Sequence, residues 1–427
     1  MRVADYLMSR LADAGAEHVF LLPGGGAMYL NDALVCEKRL VPVPCHHEQA
    51  CGIAAEAWGR IRETFGVCMV TTGPGATNVI TPVAGAWIES TPFLVISGQV
   101  KRADQLAGRP LRQGGVQEVD IIPIVKSITK YAVTVNEPQQ IRYHLERALH
   151  EMKDGRNGPV WLDIPLDVQA ATVDPENLPS FTPAPQPEHD LSEAAAQLMA
   201  LIGAAKRPLL LAGHGVRLAG AAREFMALTE RLQIPVATTW NALDLLPWAH
   251  PLCVGRPGVV ALRGANFAVQ NCDLLISIGC RLDNIITAYN PRGFARAAKK
   301  VVVDVDANEI AKLDMDIDLS IVADAKKLIA AIAQTTLPQK PLATAPWIAR
   351  CADWKQRYPV NDGLPFPTSG PISHYHFASE LSEAIPPECL VSTGSSGLAV
   401  EVFYTVFRNK IGQRVFLTSG LGSMGYG

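Results

Sequence analysis

Short apolar runs alternate with helical segments along most of this chain of 427 residues. Such alternation predicts parallel sheets covered by helices on their faces. The predicted strands of the first part are 18–22, 67–71, 93–97 and 160–164. The pattern resumes at 208–212, 235–238, 273–279, 300–306 and 319–322, and a helix at 325–333 closes it. We therefore predict an α/β fold of doubly wound parallel-sheet domains.

Proline-rich stretches divide the chain into three predicted domains. Five prolines fall within 172–190, which suits an extended linker, and a similar stretch covers 336–371. The predicted domains are therefore 1–171, 191–335 and 372–427. The third contains helices at 374–384 and 398–407 and strands at 389–393 and 414–418. It has only about 55 residues, whereas domains usually have about 100–150, so we expect it to be cut short.

Charge and composition exclude several classes of partner. The formal net charge is only −3 and no Lys/Arg block occurs, so we expect neither nucleic-acid nor membrane binding. No apolar run is long enough to span a bilayer, and the first residues resemble an amphipathic helix rather than a signal peptide. The nine cysteines form no C-x-x-C motif. This pattern indicates a reducing, cytoplasmic location with small molecules or other subunits as partners.

Glycine-rich loops follow three of the predicted strands. They are 23–26, 73–78 and 394–397. Such loops let a ligand approach backbone N–H groups at helix starts, although tight turns also need glycine. None matches a P-loop, and 213–216 lacks the third glycine of a dinucleotide fingerprint.

Glu48 leads an alanine-rich, largely apolar helix, where a packed carboxylate would need a partner. An alternative is that Glu48 caps the helix or forms a surface ion pair. The preceding His46 and His47 invite a metal site, but adjacent histidines point to different sides and no third ligand is suitably spaced. We expect them to be structural or to face substrate.

In their order along the chain, these segments resemble the acetolactate-synthase-like branch of thiamine-diphosphate enzymes. The resemblance covers nearly the whole chain. The segments that carry it are 20–25, 47–50, 71–78, 117–120, 128–130, 158–160, 163–168, 266–268, 272–275, 303–306 and 418–427. It implies that the three domains are pyrimidine-binding, central and, in part, diphosphate-binding.

The resemblance implies a specific role for Glu48. The carboxyl group would hydrogen-bond the pyrimidine ring of thiamine diphosphate and favour the tautomer that removes the C2 proton. Gln117 would contact substrate or cofactor, Gly422 would offer its carbonyl and Met424 would support the bent cofactor. The complete set of implied cofactor-binding residues is Gly24, Gly25, Pro74, Asn78, Gly394, Ser395, Ser396, Gly422 and Met424.

The implied reaction is decarboxylation of a pyruvate-like 2-keto acid, followed by carboligation of the acyl unit to a carbonyl acceptor. The resemblance also implies a homodimer or homotetramer with its site between subunits. It implies Mg²⁺ at the diphosphate, yet the Gly-Asp-Gly motif that would bind the metal is absent from the sequence and is expected beyond Gly427. We therefore assign no metal ligand.

Departures from the resembled family leave other interpretations open. Residues 394–399 and 115–116 differ from those of acetolactate synthases, which indicates a remodelled acceptor pocket. Residues 241–244, 255–258 and 280–284 depart from the flavin-binding segments, so FAD binding stays open. A truncated, non-catalytic homologue that acts as an interaction or regulatory subunit is the main alternative. A flavin or nicotinamide oxidoreductase is disfavoured by the broken dinucleotide fingerprint.

Overall fold

The computed structural model describes residues 1–106, 108–185, 190–336 and 344–427. The chain forms two compact units. The first contains the described residues within Met1–Pro187 together with Gly420–Tyr426, and the second contains those within Glu188–Ser419, with Gly427. The α/β fold predicted from the sequence is confirmed. The three domain boundaries stay a prediction.

A six-stranded parallel sheet forms the centre of the first unit. Its strands are β1 His18–Leu21, β2 Val41–Pro44, β3 Gly66–Val70, β4 Phe93–Gln99, β5 Tyr131–Thr134 and β6 Pro159–Pro165. Their order is β2-β1-β3-β4-β6-β5, and every neighbouring pair is parallel. Strands β3, β4 and β6 are buried along their whole length, which explains their continuous apolar sequences.

Helices cover both faces of this sheet. They are α1 Val3–Asp13, α2 Met28–Cys36, α3 Glu48–Arg62, α4 Pro74–Thr77, α5 Ile80–Glu89, α6 Ile121–Val125, α7 Ile141–Glu151 and α8 Leu166–Ala170. Successive side chains of a strand point to opposite faces. Leu94 and Ile96 accordingly join one apolar core, and Phe93 and Val95 join the other. The first unit is therefore doubly wound.

Helix α3 lies unusually close to strand β3. A Cβ atom on Gly66 would lie 1.9 Å from the carbonyl oxygen of Ala55, and one on Gly59 would lie 2.8 Å from the backbone nitrogen of Gly66. Because no side chain fits between these backbones, the two glycines set the depth at which α3 packs. They thereby also fix the position of Glu48, the first residue of that helix.

The second unit contains another six-stranded parallel sheet and a small two-stranded one. The larger sheet has strands β7 Pro208–Ala212, β8 Val236–Thr238, β9 Cys253–Gly255, β10 Leu274–Ile278, β11 Lys299–Asp304 and β12 Leu319–Val322. Their order is β12-β11-β10-β7-β8-β9. The small sheet pairs β13 Leu390–Ser392 with β14 Arg414–Phe416 in parallel.

The helices of the second unit include one that the sequence analysis missed. They are α9 Ser192–Ala204, α10 Gly215–Leu218, α11 Ala222–Leu232, α12 Arg263–Asn271, α13 Ala307–Ala311, α14 Ala325–Gln334, α15 Ala345–Arg357, α16 His374–Ala384 and α17 Phe403–Val406. Helix α15 lies within 336–371, which we predicted as a linker. It packs because Trp347 and Cys351, one turn apart, are buried, and the indole N–H of Trp347 donates to the Pro208 carbonyl at 2.9 Å.

Among the described residues, no helix is both long and apolar enough to cross a membrane.

We predict that Gly66→Ala destabilises the protein by about 1–3 kcal/mol, because the added methyl overpacks the contact between α3 and β3. Gly85→Ala is the matched control. The nearest heavy atom to a Cβ at Gly85 is 3.8 Å away, and the helical position favours alanine, so its change should be within about 1 kcal/mol and stabilising. Chemical denaturation measures both. Equal losses in the two variants would contradict the close packing.

Candidate active site

Glu48 begins helix α3 and is buried, with 7% of its surface exposed. The side-chain amide of Asn78, just after α4, donates to Oε2 of Glu48 at 2.9 Å. The other oxygen, Oε1, has no hydrogen-bond partner among the residues that the structure describes. A helix N-terminus stabilises a carboxylate. Glu48 is therefore a buried, oriented acid with one oxygen available to a ligand.

His47 caps the same helix. Its Nδ1 accepts a hydrogen bond from the backbone N–H of Gln49 at 3.1 Å. His46, beside it, is exposed. Across the described ranges, no group of three His, Cys, Asp or Glu side chains is arranged to hold a metal ion. His47 therefore has a structural role as a helix cap, which is one of the two roles that we expected for it.

The glycine loop after β1 packs against the loop after β3. A Cβ atom on Gly24 would lie 2.5 Å from the Cβ of Thr71, and the backbone N–H of Gly26 donates to Oγ1 of Thr71 at 3.0 Å. Gly25, between them, has no heavy atom within 4 Å of its Cβ position. Gly24 and Gly26 are therefore required by packing, while Gly25 leaves open space.

The segment with Gln117 packs against the loop after β3. Gly73 has a positive φ of 60°, and a Cβ there would lie 2.1 Å from the carbonyl oxygen of Gln117. Gln117 itself has a φ of 66° and is exposed. Pro74 occupies the first turn of α4, and a Cβ on Gly75 would lie 3.6 Å from Oε1 of Glu48. The loops after β1 and β3 and the Gln117 segment thus meet near Glu48.

A buried network that the sequence analysis missed supports this arrangement. Asp163 on β6 accepts hydrogen bonds from Ser97 Oγ at 2.6 Å, Gln99 Nε2 at 3.1 Å and Thr134 Oγ1 at 3.1 Å. Gln99 also accepts a bond from Thr72 Oγ1 at 2.9 Å and donates to the Val119 carbonyl at 2.9 Å. The only signal was an acid inside an otherwise apolar strand. The network connects Asp163 to the loop after β3, through Thr72, and to the Gln117 segment, through Val119.

Residues Gly420–Tyr426 are held by a second set of buried polar groups. Arg60 on α3 donates to the Tyr426 hydroxyl at 3.1 Å and lies 3.4 Å from Oε1 of Glu56. Burial raises the pKa of Glu56. The backbone N–H of Gly420 donates to Oε1 of Glu89 at 2.7 Å. Helix α3 therefore carries Glu48 at its start and anchors this segment further along.

The predicted residues of that segment have few contacts. Gly422 has a φ of 63° and no heavy atom within 4 Å of its Cβ position, and Met424 is 84% exposed. Gly394, Ser395 and Ser396 follow β13 in the second unit, where Oγ of Ser396 accepts the backbone N–H of Ala399 at 3.2 Å. The roles assigned to all of these residues stay a prediction.

Comparisons with known proteins identify the class. Residues 1–124 match the N-terminal TPP binding domain of thiamine pyrophosphate enzymes, and residues 195–332 match their central domain. The probable acetolactate synthase large subunit of Methanocaldococcus jannaschii is 32% identical over 444 residues, which cover 100% of this chain and 72% of the relative.

Two further relatives have similar names. The acetolactate synthase large subunit of Corynebacterium glutamicum is 35% identical, with 100% of this chain and 67% of the relative covered. The acetolactate synthase isozyme 1 large subunit of Escherichia coli is 32% identical, with 99% and 72% covered.

The chain therefore belongs to the thiamine pyrophosphate enzymes. Within that family it is an acetolactate-synthase-like enzyme that depends on thiamine diphosphate. The predicted family, function and principal cofactor are confirmed, and the non-catalytic alternative is not favoured.

The raised pKa of Asp163 makes the stability of the folded protein depend on pH. Burial raises this pKa to about 7, although the hydrogen bonds from Ser97, Gln99 and Thr134 lower it in part. The folded protein therefore holds a proton that the unfolded chain releases near pH 4, so stability from Asp163 is full below that pH and is lost as pH rises toward 7. We predict that Asp163→Asn removes this loss, which is on the order of a few kcal/mol.

Denaturation at pH 5, 6, 7 and 8 measures the effect as the difference in unfolding free energy between variant and wild type. Asp104→Asn, at an exposed position of the same unit, is the control and should follow the wild type at every pH. A difference for Asp163→Asn that is constant across this range would show that Asp163 does not titrate as described.

Proposed function

We propose that this enzyme decarboxylates a pyruvate-like 2-keto acid and joins the acyl unit to a carbonyl acceptor, with Glu48 controlling the proton of the cofactor's pyrimidine ring. The observation that carries the proposal is the buried Glu48 carboxyl, with Asn78 on Oε2 and no described partner on Oε1. A carboxyl group so placed can exchange a proton with a ring nitrogen.

The surrounding residues fit thiamine diphosphate. When bound, this cofactor supplies a nucleophilic carbon that attacks the carbonyl of a 2-keto acid. Asn78 keeps the Glu48 carboxyl turned so that Oε1 meets the pyrimidine. Gly25 and Pro74 present backbone and ring surface without filling the space, since Gly25 has no heavy atom near its Cβ position.

We assign substrate contact to the Gln117 segment. Gln117 is exposed, and the neighbouring Val116 is 88% exposed, although Gly73 holds the backbone of the segment in place. An amide beside an exposed apolar side chain suits a small 2-keto acid, because the amide can bond its oxygens and the valine can contact its carbon chain. The acceptor meets the same surface.

Two glycine-rich segments complete the proposed cofactor site. In the proposal, Gly422 would offer its carbonyl to the exocyclic amine and Met424 would support the cofactor. Gly394, Ser395 and Ser396 would contact the diphosphate. Mg²⁺ would balance the diphosphate charge. Among the described residues, no group of three His, Cys, Asp or Glu side chains is arranged to hold a metal ion, and no step of the proposal passes through Mg²⁺.

FAD binding, which the sequence leaves open, is not part of the proposal. At the carboxyl ends of β7 and β10, where a parallel sheet of this order can bind a nucleotide, a Cβ on Gly213 would lie 2.0 Å from the carbonyl oxygen of Gly279. These glycines therefore pack against each other. Arg256, within a segment that departs from the flavin-binding sequence, is buried and donates to the carbonyl of Phe407 at 2.7 Å.

A homodimer or homotetramer completes the proposal. Met424 and Val116 are both more than four-fifths exposed. A bound cofactor and a second subunit would cover such side chains. We expect the enzyme to act in the cytoplasm, where its nine free cysteines stay reduced.

Incubation with thiamine diphosphate, Mg²⁺ and pyruvate tests the function. We expect release of CO₂ and formation of one coupled product from two pyruvate molecules. Glu48→Gln should lower this rate by at least about 100-fold, because the amide cannot exchange the proton. Glu63→Gln makes the same chemical change just beyond the other end of α3, at an exposed residue, and should keep the wild-type rate.

Each result bears on a different part of the proposal. A wild-type protein that leaves pyruvate unchanged, while it reacts with another 2-keto acid, would refute the donor. A Glu48→Gln variant as active as wild type would refute the site.

A further inference from the structure

A cavity of about 340 Å³ lies in the second unit beside β9 and α15, and none of the residues assigned to the reaction lines it. The lining includes side chains that can donate hydrogen bonds, among them His250, Lys355, Gln356 and Arg408. Leu262 and Val360 add apolar surface. No Asp or Glu is among the described residues that line it. The cavity therefore combines donors, positive charge and carbon surface.

The cationic groups of Lys355 and Arg256 both lie over the indole side chain of Trp248, which lines the cavity. The Nζ atom of Lys355 is 4.1 Å from the centre of a Trp248 ring, and the guanidinium carbon of Arg256 is 5.2 Å from it. Lys355 donates to the carbonyls of Trp248 and Cys253, and Arg256 donates to that of Phe407. Neither cation has a carboxylate partner within the part of the chain that the structure describes.

This arrangement is electrostatically unfavourable without an anion. Burial lowers the pKa of Lys355, and the positive charges of Arg256 and Arg408 lower it further. Burial also lowers the pKa of Arg256 to about 10. Arg408 contacts Glu383 only at 3.6 Å, in an exposed ion pair of the kind that contributes little. Positive charge of this kind is compensated when an anion binds beside it.

His250 contributes a donor without a charge. Its Nδ1 accepts the backbone N–H of Leu252 at 3.2 Å, so the proton of the neutral ring is on Nε2. Burial lowers the pKa of His250, although the charge of Glu230 opposes this effect, and the neutral ring is favoured at neutral pH. The ring can therefore bond an oxygen atom of a ligand.

We propose that this cavity binds a small organic carboxylate, with its anionic group against Lys355 and Arg408 and its carbon body against Leu262 and Val360. The volume is at the lower end of the range for small-molecule sites, about 300–1,000 Å³, which favours a compact ligand over a dinucleotide. The apolar wall favours an organic acid over inorganic phosphate. The site is separate from the proposed reaction and does not depend on it.

Isothermal titration calorimetry with three probes tests the proposal on the full chain, with thiamine diphosphate present throughout. Benzoate should bind, whereas its neutral isostere benzamide and inorganic phosphate should bind at least tenfold more weakly. Lys355→Met and Arg408→Gln should each weaken benzoate binding at least tenfold. Arg357→Gln removes the same charge from an exposed position on α15 that does not line the cavity, so it should bind benzoate like the wild type.

Several outcomes would overturn the proposal. Equal binding of benzoate and benzamide would exclude recognition of charge, and binding of phosphate but not benzoate would exclude an organic ligand. Undiminished benzoate binding by Arg408→Gln would exclude this cavity. Arg408 has a side chain 42% exposed, so this variant decides the matter even where Lys355→Met does not fold.

Discussion

The contact between helix α3 and strand β3 determines the geometry of the active site. Gly66 and Gly59 allow the helix backbone to lie directly on the strand, with no space for a methyl group. The first residue of that helix is Glu48, and Arg60, about three turns later, bonds Tyr426. One helix, held at one depth, therefore positions both Glu48, the proposed catalytic acid, and the segment with Gly422 and Met424.

Buried polar groups on the sheet then fix the loops around Glu48. Both carboxyl oxygens of Asp163 accept hydrogen bonds from side chains, and Gln99 links Asp163 to Thr72 and to the backbone of Val119. These bonds fix the loops at the edge of the sheet where the parallel strands have their carboxyl ends. The space beside Gly25 can stay open for a ligand because the neighbouring residues hold the loops in place.

Most strands of both large sheets were predictable because buried parallel strands are continuous apolar runs. Strands β2, β5 and β9 were not predicted. Val-Pro-Val-Pro of β2 does not have such a run, β5 is only partly buried at the other edge of its sheet, and β9 has only three residues. Helix α15 was missed because nearby prolines concealed the spacing of Trp347 and Cys351. Glu48 was predicted as a buried acid, and Asn78 as a pocket residue, but the bond between them joins positions 30 residues apart. The cavity beside α15 likewise depends on long-range packing that no local pattern records.

Exchange of the C2 proton of bound thiamine diphosphate, followed by acid quench and NMR in D₂O, tests the central role of Glu48 most directly. The account predicts that Glu48→Gln slows this exchange by at least about 100-fold while Glu63→Gln leaves it at the wild-type rate. Equal exchange rates in Glu48→Gln and wild type, with the cofactor bound in both, would contradict it.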